Sequence, residues 1–125
     1  MLNAANNLAS CYLRGTGVDV NKKKAAKLYQ IAADEDSPSG IRNLGVCYAQ
    51  GDGVERDLEK AVKLFELGVE KGDAGSMKHL ANCYLNGSGV SVDEDKASEL
   101  YKTAAELGNR RAKEALDGLE KFQHE

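Results

Sequence analysis

Three cysteines, Cys11, Cys47 and Cys83, stand at a constant spacing of 36 residues, and with His79 they are the side chains best suited to chemistry. A thiolate can act as a nucleophile, a close pair of thiols can form a disulfide, and a set of four Cys or His can hold zinc. His79 precedes Cys83 by one helical turn, so a helix would carry both on one face, with Cys47 the nearest further ligand. Zinc asks for three or four ligands. The remaining histidine, His124, stands at the end of the chain. A Cys–His dyad would also need a third group to orient the base, and none stands out. Gly15-Thr16-Gly17 with Lys22–Lys24 has the composition of a phosphate loop, but it lacks the preceding strand and the Gly-Lys-Ser/Thr order. Asn86-Gly87-Ser88 matches a glycosylation acceptor, a three-letter pattern that a helix end explains equally well. No catalytic group, metal or cofactor is expected.

The constant spacing is the informative feature. Leu8–Val18, Leu44–Val54 and Leu80–Val90 are copies of one another in register, which marks a repeat array. Each unit opens with apolar residues at i, i+3, i+4 and i+7: Ala5, Leu8, Ala9, Tyr12; Ile41, Leu44, Gly45, Tyr48; Met77, Leu80, Ala81, Tyr84. That spacing predicts a helix with one buried face. Gly15, Gly51 and Gly87 follow at the helix end, where a positive φ is wanted. Val18, Val54 and Val90 come three residues later and are expected to fold back onto the core.

Asn21, Asp57 and Asp93 are N-cap residues for a second helix, and Ser37, Asp73 and Asn109 cap the next first-type helix. The second helices bury Ala25, Leu28, Tyr29, Ala32 and their equivalents. Two positions depart from the pattern. Asp36 stands where the other units have Gly72 and Gly108, and Gly68 replaces a helix alanine at a cost of up to about 1 kcal/mol unless close packing compensates. From Arg111 a last helix carries a single stripe, Ala112, Ala115, Leu116 and Leu119, with charges around the rest, as a solenoid cap requires. The first helix begins almost at Met1 without such a cap, so that end either follows further repeats or stacks on something.

Composition agrees with a folded protein: hydrophobic residues are 42% and charged residues 30%. The net charge of −3 divides as +1, −2 and −1 over residues 3–38, 39–74 and 75–110, with −1 on the tail. The lysine group Lys22–Lys24 with Lys27 reads as a solvated helix face, and no concentrated basic surface for nucleic acid is expected. No apolar run approaches the ~20 residues of a membrane span, and the N-terminus lacks a signal-peptide layout.

The pattern A-x-x-L-G/A-x-x-Y-x-x-G-x-G-V followed by D-x-x-K-A-x-x-L-Y-x-x-A-A-x-x-G resembles the Sel1-like repeat, a relative of the tetratricopeptide repeat. Nine positions are the same in all three units: Leu8, Cys11, Tyr12, Gly15, Gly17, Val18, Lys24, Ala25, Leu28 and their equivalents. The resemblance implies an all-α, right-handed α/α superhelix in one domain spanning 1–125, with repeats at about 3–38, 39–74 and 75–110 and a capping helix at about 111–122. It also implies an adaptor or scaffold role, as in family members acting in ER-associated degradation, bacterial host interaction and signalling. The cysteine-rich branch has two Cys per repeat, and this chain has one. Equivalent helices stand ~9–10 Å apart, beyond the ~7 Å reach of a disulfide, so the three thiols are expected unpaired, as small buried side chains. Unpaired thiols point to a reducing, cytoplasmic location, with the ER lumen or secretion open if the chain is part of a longer protein.

The resemblance places Asn6, Ser10 and Leu13, then Arg42, Val46 and Ala49, then Lys78, Asn82 and Leu85 on the concave side of the first helices. These positions vary between units while the packing positions do not. Lys78 and Asn82, with Arg42 and Asn6, resemble the carboxylate clamp of some tetratricopeptide domains and could grip an acidic side chain or C-terminal carboxylate through charge-assisted hydrogen bonds. The function expected is a non-enzymatic module holding a protein or peptide segment. Two alternatives stand beside it: a structural or oligomerising segment, including self-stacking through the uncapped N-terminal end, and a hydrolase-like activity as suggested for cysteine-rich relatives.

Overall fold

A computed structural model describes residues 2–123, so His124 lies outside the described residues. Seven helices follow one another: α1 Leu2–Arg14, α2 Lys22–Asp34, α3 Pro38–Gln50, α4 Leu58–Glu70, α5 Ala74–Asn86, α6 Glu94–Glu106 and α7 Arg110–Gln123. No strand occurs among the described residues. Each helix packs on the next in sequence, giving an all-α solenoid of three helix pairs with α7 closing the C-terminal side.

The termini are set by the expected caps. Asn21, Asp57 and Asp93 accept the backbone N–H of Lys24, Lys60 and Lys96 at 3.1, 3.1 and 3.0 Å. Ser37, Asp73 and Asn109 do the same for α3, α5 and α7. Each cap satisfies one of the orphan donors of a helix start and stabilises it by about 1 kcal/mol. Asp36 takes φ +63°, the left-handed conformation that its glycine counterparts also adopt.

The apolar core is not partitioned by repeat. Ala9, Ala25 and Tyr29 of the first unit share a cluster with Leu44 and Cys47 of the second. Ala61, Val62 and Phe65 share one with Leu80 and Cys83 of the third, and α7 contributes Ala112 to the last. Every first helix therefore relies on the second helix of the preceding unit. The consequence is visible at α1: Leu8 is 44% exposed, while Leu44 and Leu80 are 2% and 5%. The same rule corrects the expectation for the loop valines. Val54 and Val90 pack against the core of the unit before them, but Val18 is 37% exposed.

The invariant lysine of each second helix is also explained. Lys24, Lys60 and Lys96 place their ammonium groups over the rings of Tyr12, Tyr48 and Tyr84, 4.8, 4.6 and 5.2 Å from the centroids. At exposed sites such a contact is worth about 0.5–1 kcal/mol. Lys24 thus belongs to the packing of its own unit.

Candidate functional site: the inner face of the first helices

α3 touches α5 directly, whereas each second helix packs mainly on the first helices to either side. The first helices therefore lie along the inner arc. Their charge is one-sided: α1, α3 and α5 contain no Asp or Glu at all, although the chain has 20. The acids are confined to second helices, caps, loops and α7. The segregation runs helix by helix and cancels within each repeat. A cavity of about 230 Å³ opens between α3 and α5, lined among others by Val46, Ala49, Phe65, His79 and Asn82.

The structure brings the six candidate residues into quite different situations. Asn6 is engaged at both polar atoms: its Nδ2 donates to Ser39 Oγ at 3.1 Å, and its Oδ1 accepts from Asn43 Nδ2 at 3.1 Å. Arg42 Nη1 donates to both carboxylate oxygens of Asp73, at 2.9 and 3.1 Å, and so ties the second unit to the cap of α5. It is not a free groove cation, and an Arg42→Glu change would set a carboxylate against Asp73. Lys78 is half-buried and has no ion pair or hydrogen bond among the described residues. Its pKa is lowered by burial first and then by the nearby cations Arg111 and Arg42.

Ser10, Val46 and Asn82 occupy one equivalent position, and each faces the aromatic residue of its own second helix. Ser10 shares a hydrogen bond with the Tyr29 hydroxyl at 2.9 Å, Asn82 Oδ1 accepts from the Tyr101 hydroxyl, and apolar Val46 packs on the cluster of Phe65. Polar side chains stand opposite tyrosine and the apolar one opposite phenylalanine. This pairing accounts for the variation at these positions by matching within each unit. Tyr101→Phe is expected to cost about 1–2 kcal/mol by leaving the Asn82 amide oxygen without its donor. Adding Asn82→Val, which copies the second unit, should return most of that in urea unfolding. A second substitution that deepens the loss would refute the pairing.

His79 and Cys83 lie on one helix face, as the spacing predicts, but each serves packing. The His79 ring stacks on Phe65 with centroids 5.1 Å apart and an interplanar angle of 17°. Burial, then Lys78 and Arg42, push its pKa down from 6.5 to about 4, against a raising influence from Asp73. Burial also raises the Cys83 thiol, and burial with Asp52 lifts Cys47 to about 11, so both are thiols rather than thiolates at neutral pH. All three cysteines are unpaired. Among the described residues no three His, Cys, Asp or Glu side chains come together as a metal site.

The depressed His79 pKa carries a sign. The unfolded chain binds the extra proton, so this contribution to stability is complete above pH 6.5 and is lost as pH falls towards 4. Between pH 7 and 4.5 the loss should be on the order of 2 kcal/mol. His79→Gln should flatten that part of the pH profile in urea titrations at the two pH values. An unchanged slope would mean that His79 does not contribute to it.

The family model for the Sel1 repeat matches residues 2–37, 38–73 and 74–109, together most of the chain. No match is found among curated proteins. Among solved structures, a Sel1 repeat protein from Oxalobacter formigenes is similar with TM-score 0.91 and 34% identity, over 95% of this chain and 47% of that one. A protective antigen of uropathogenic Escherichia coli with an SLR fold gives 0.83 and 35%, over 89% and 24%. Cysteine-rich protein B of Helicobacter pylori gives 0.76 and 26%, over 92% and 89%. The chain thus spans about half and about a quarter of the first two. Among the described residues no helix is long and apolar enough to cross a membrane. With three consecutive repeats matched and the helix pairs stacked in the same way, the chain belongs to the Sel1 repeat family.

Proposed function

We propose that this chain, of a family whose members generally mediate protein–protein interaction, holds a protein segment carrying carboxylates along the inner arc of α1, α3 and α5. The observation that carries the reading is the absence of any acidic residue from these three helices in a chain of net charge −3. Acidic partners would meet no like charge on these three helices. The α3–α5 cavity supplies an apolar floor on which a side chain of the same segment can settle.

The test is affinity capture from host lysate with three proteins: wild type, Lys78→Glu on the inner arc, and Lys63→Glu on the exposed side of α4. A partner kept by wild type and Lys63→Glu but lost by Lys78→Glu, with unchanged circular dichroism, is the expected result. A partner retained equally by all three would remove the inner arc from consideration. Leu8 favours a second reading, in which α1 offers a stacking surface to a helix of another copy. In that case sedimentation should show mass rising with concentration, and Leu8→Lys should suppress the rise.

A further inference from the structure

We propose that Lys78 and Arg111 together form the anchor for a peptide carboxylate at the C-terminal end of the inner arc. The proposal rests on the acidic-segment reading above and deepens it. It also moves the anchor away from Arg42 and Asn82, since Arg42 Nη1 is held by Asp73 and Asn82 Oδ1 by the Tyr101 hydroxyl.

One contact recurs at the boundaries between units. Position 6 of the first unit meets position 39 of the next: Asn6 bonds Ser39 at 3.1 Å. One unit on, Arg42 meets Gly75, with its Cδ and Nη1 2.6 Å from where a glycine Cβ would stand. One unit further, the same register pairs position 78 with position 111, and Lys78 feels the positive charge of Arg111. The first boundary matches an amide with a hydroxyl, and the second lets a long arginine lie across a glycine and reach Asp73. The third opposes two cations. Asp73, the acid nearest to Lys78 along α5, already accepts Arg42 Nη1, the Ser76 N–H at 2.8 Å and the Ser76 hydroxyl at 2.7 Å. No ion pair involves Lys78 or Arg111 among the described residues.

Two like charges held side by side repel, and an anion between them relieves that repulsion while accepting charge-assisted hydrogen bonds from both. A carboxylate suits the fork of a guanidinium in the bidentate manner, with the lysine as a point charge alongside. The α3–α5 cavity is lined by His79 and Asn82, which follow Lys78 on α5, so a peptide, unlike a free ion, can extend from the carboxylate towards it. The carboxylate has two possible sources, the C-terminus of a partner chain or an Asp or Glu side chain within it.

The test uses ¹⁵N-labelled protein of the full 125 residues, titrated to 20 mM with three probes: acetyl-Ala-Leu-Ala with a free C-terminus, its C-terminal amide, and acetyl-Ala-Asp-Ala amide. Inorganic phosphate is the fourth titrant. Saturable shifts at Lys78, His79 and Arg111 with the free acid but not the amide would support the anchor and identify a C-terminal source. The same shifts with the aspartyl peptide amide would support it with a side-chain source. Lys78→Met and Arg111→Gln, at partly exposed positions, should each weaken binding by about tenfold. Shifts along α1 and α3 that neither substitution alters would overturn the anchor and leave the broader reading standing. Shifts confined to α2, α4 and α6 would overturn both. Phosphate binding without either carboxylate, or no saturable shift at all, would overturn the anchor.

Discussion

Gly53→Ala is expected to lower stability by about 3 kcal/mol, roughly 10 °C in melting temperature, whereas Gly17→Ala should cost only about 1 kcal/mol. Both glycines stand at the same loop position and share φ +75°. An alanine in that conformation pays the left-handed penalty at either site. The difference lies in the surroundings. A Cβ on Gly53 would run into the carbonyl of Lys22 and lie 2.8 Å from the Lys23 nitrogen, at the start of α2 in the preceding unit. Backbone at a helix start cannot step aside as a side-chain tip can. On Gly17 the same Cβ meets nothing within 4 Å. Gly89, whose Cβ would lie 2.6 Å from the Leu58 carbonyl oxygen, should behave like Gly53. Thermal unfolding of the three variants by circular dichroism decides the matter. Equal losses at Gly17 and Gly53 would show that the loop does not bear on its neighbour.

The second large effect is at the crossing of α4 and α5. Gly68→Ala should destabilise by about 2–3 kcal/mol, despite alanine's better helix propensity, because its methyl would strike the buried Ser76 hydroxyl and lie 2.5 Å from the Ser76 Cβ. The corresponding crossing of α2 and α3 has the sizes exchanged: Ala32 faces Gly40, where a Cβ would lie 2.6 Å from the alanine methyl. The α6–α7 crossing accommodates Ala104 opposite Ala112, both fully buried. A small pair is required in each case, and which helix holds the smaller member is free. Gly68→Ala with Ser76→Gly should therefore recover a large part of the loss, although the Ser76 bond to Asp73 goes with it. The double-mutant cycle should show a coupling of about 2 kcal/mol, and simple additivity would dismiss the account.

These two cases show what the sequence discloses and what it withholds. The N-caps, the glycine-ended helices and the α7 stripe follow from chemistry within a few residues, so Asn21, Asp57, Asp93 and Ala112 are legible in one unit alone. The departure at Gly68 is legible as a departure, but its compensation by Ser76 depends on which residues of adjacent units meet. Arg42 is the clearest instance at the candidate site. A cation on a first helix reads as available until the boundary places Asp73 against it. Arg111, on the closing helix, likewise acquires its relation to Lys78 only across a boundary. Two signals were present in the residues themselves: the missing acids of α1, α3 and α5, and the matched sets Ser10 with Tyr29, Val46 with Phe65, and Asn82 with Tyr101. Both require comparing equivalent positions in pairs.

The sharing of each apolar cluster between successive units bears on how such an array can lengthen. Since no cluster is closed within one unit, a tandem duplication of any 36-residue window within the three repeats supplies one complete new cluster, wherever the breakpoints fall there. A duplication that gains or loses even one residue would set a loop glycine against the wrong part of the neighbouring helix. Growth by whole units is therefore permitted at every position and growth by fractions at none. The inner-arc side chains, tied no further than one unit away, are inherited with each copy and free to diverge afterwards.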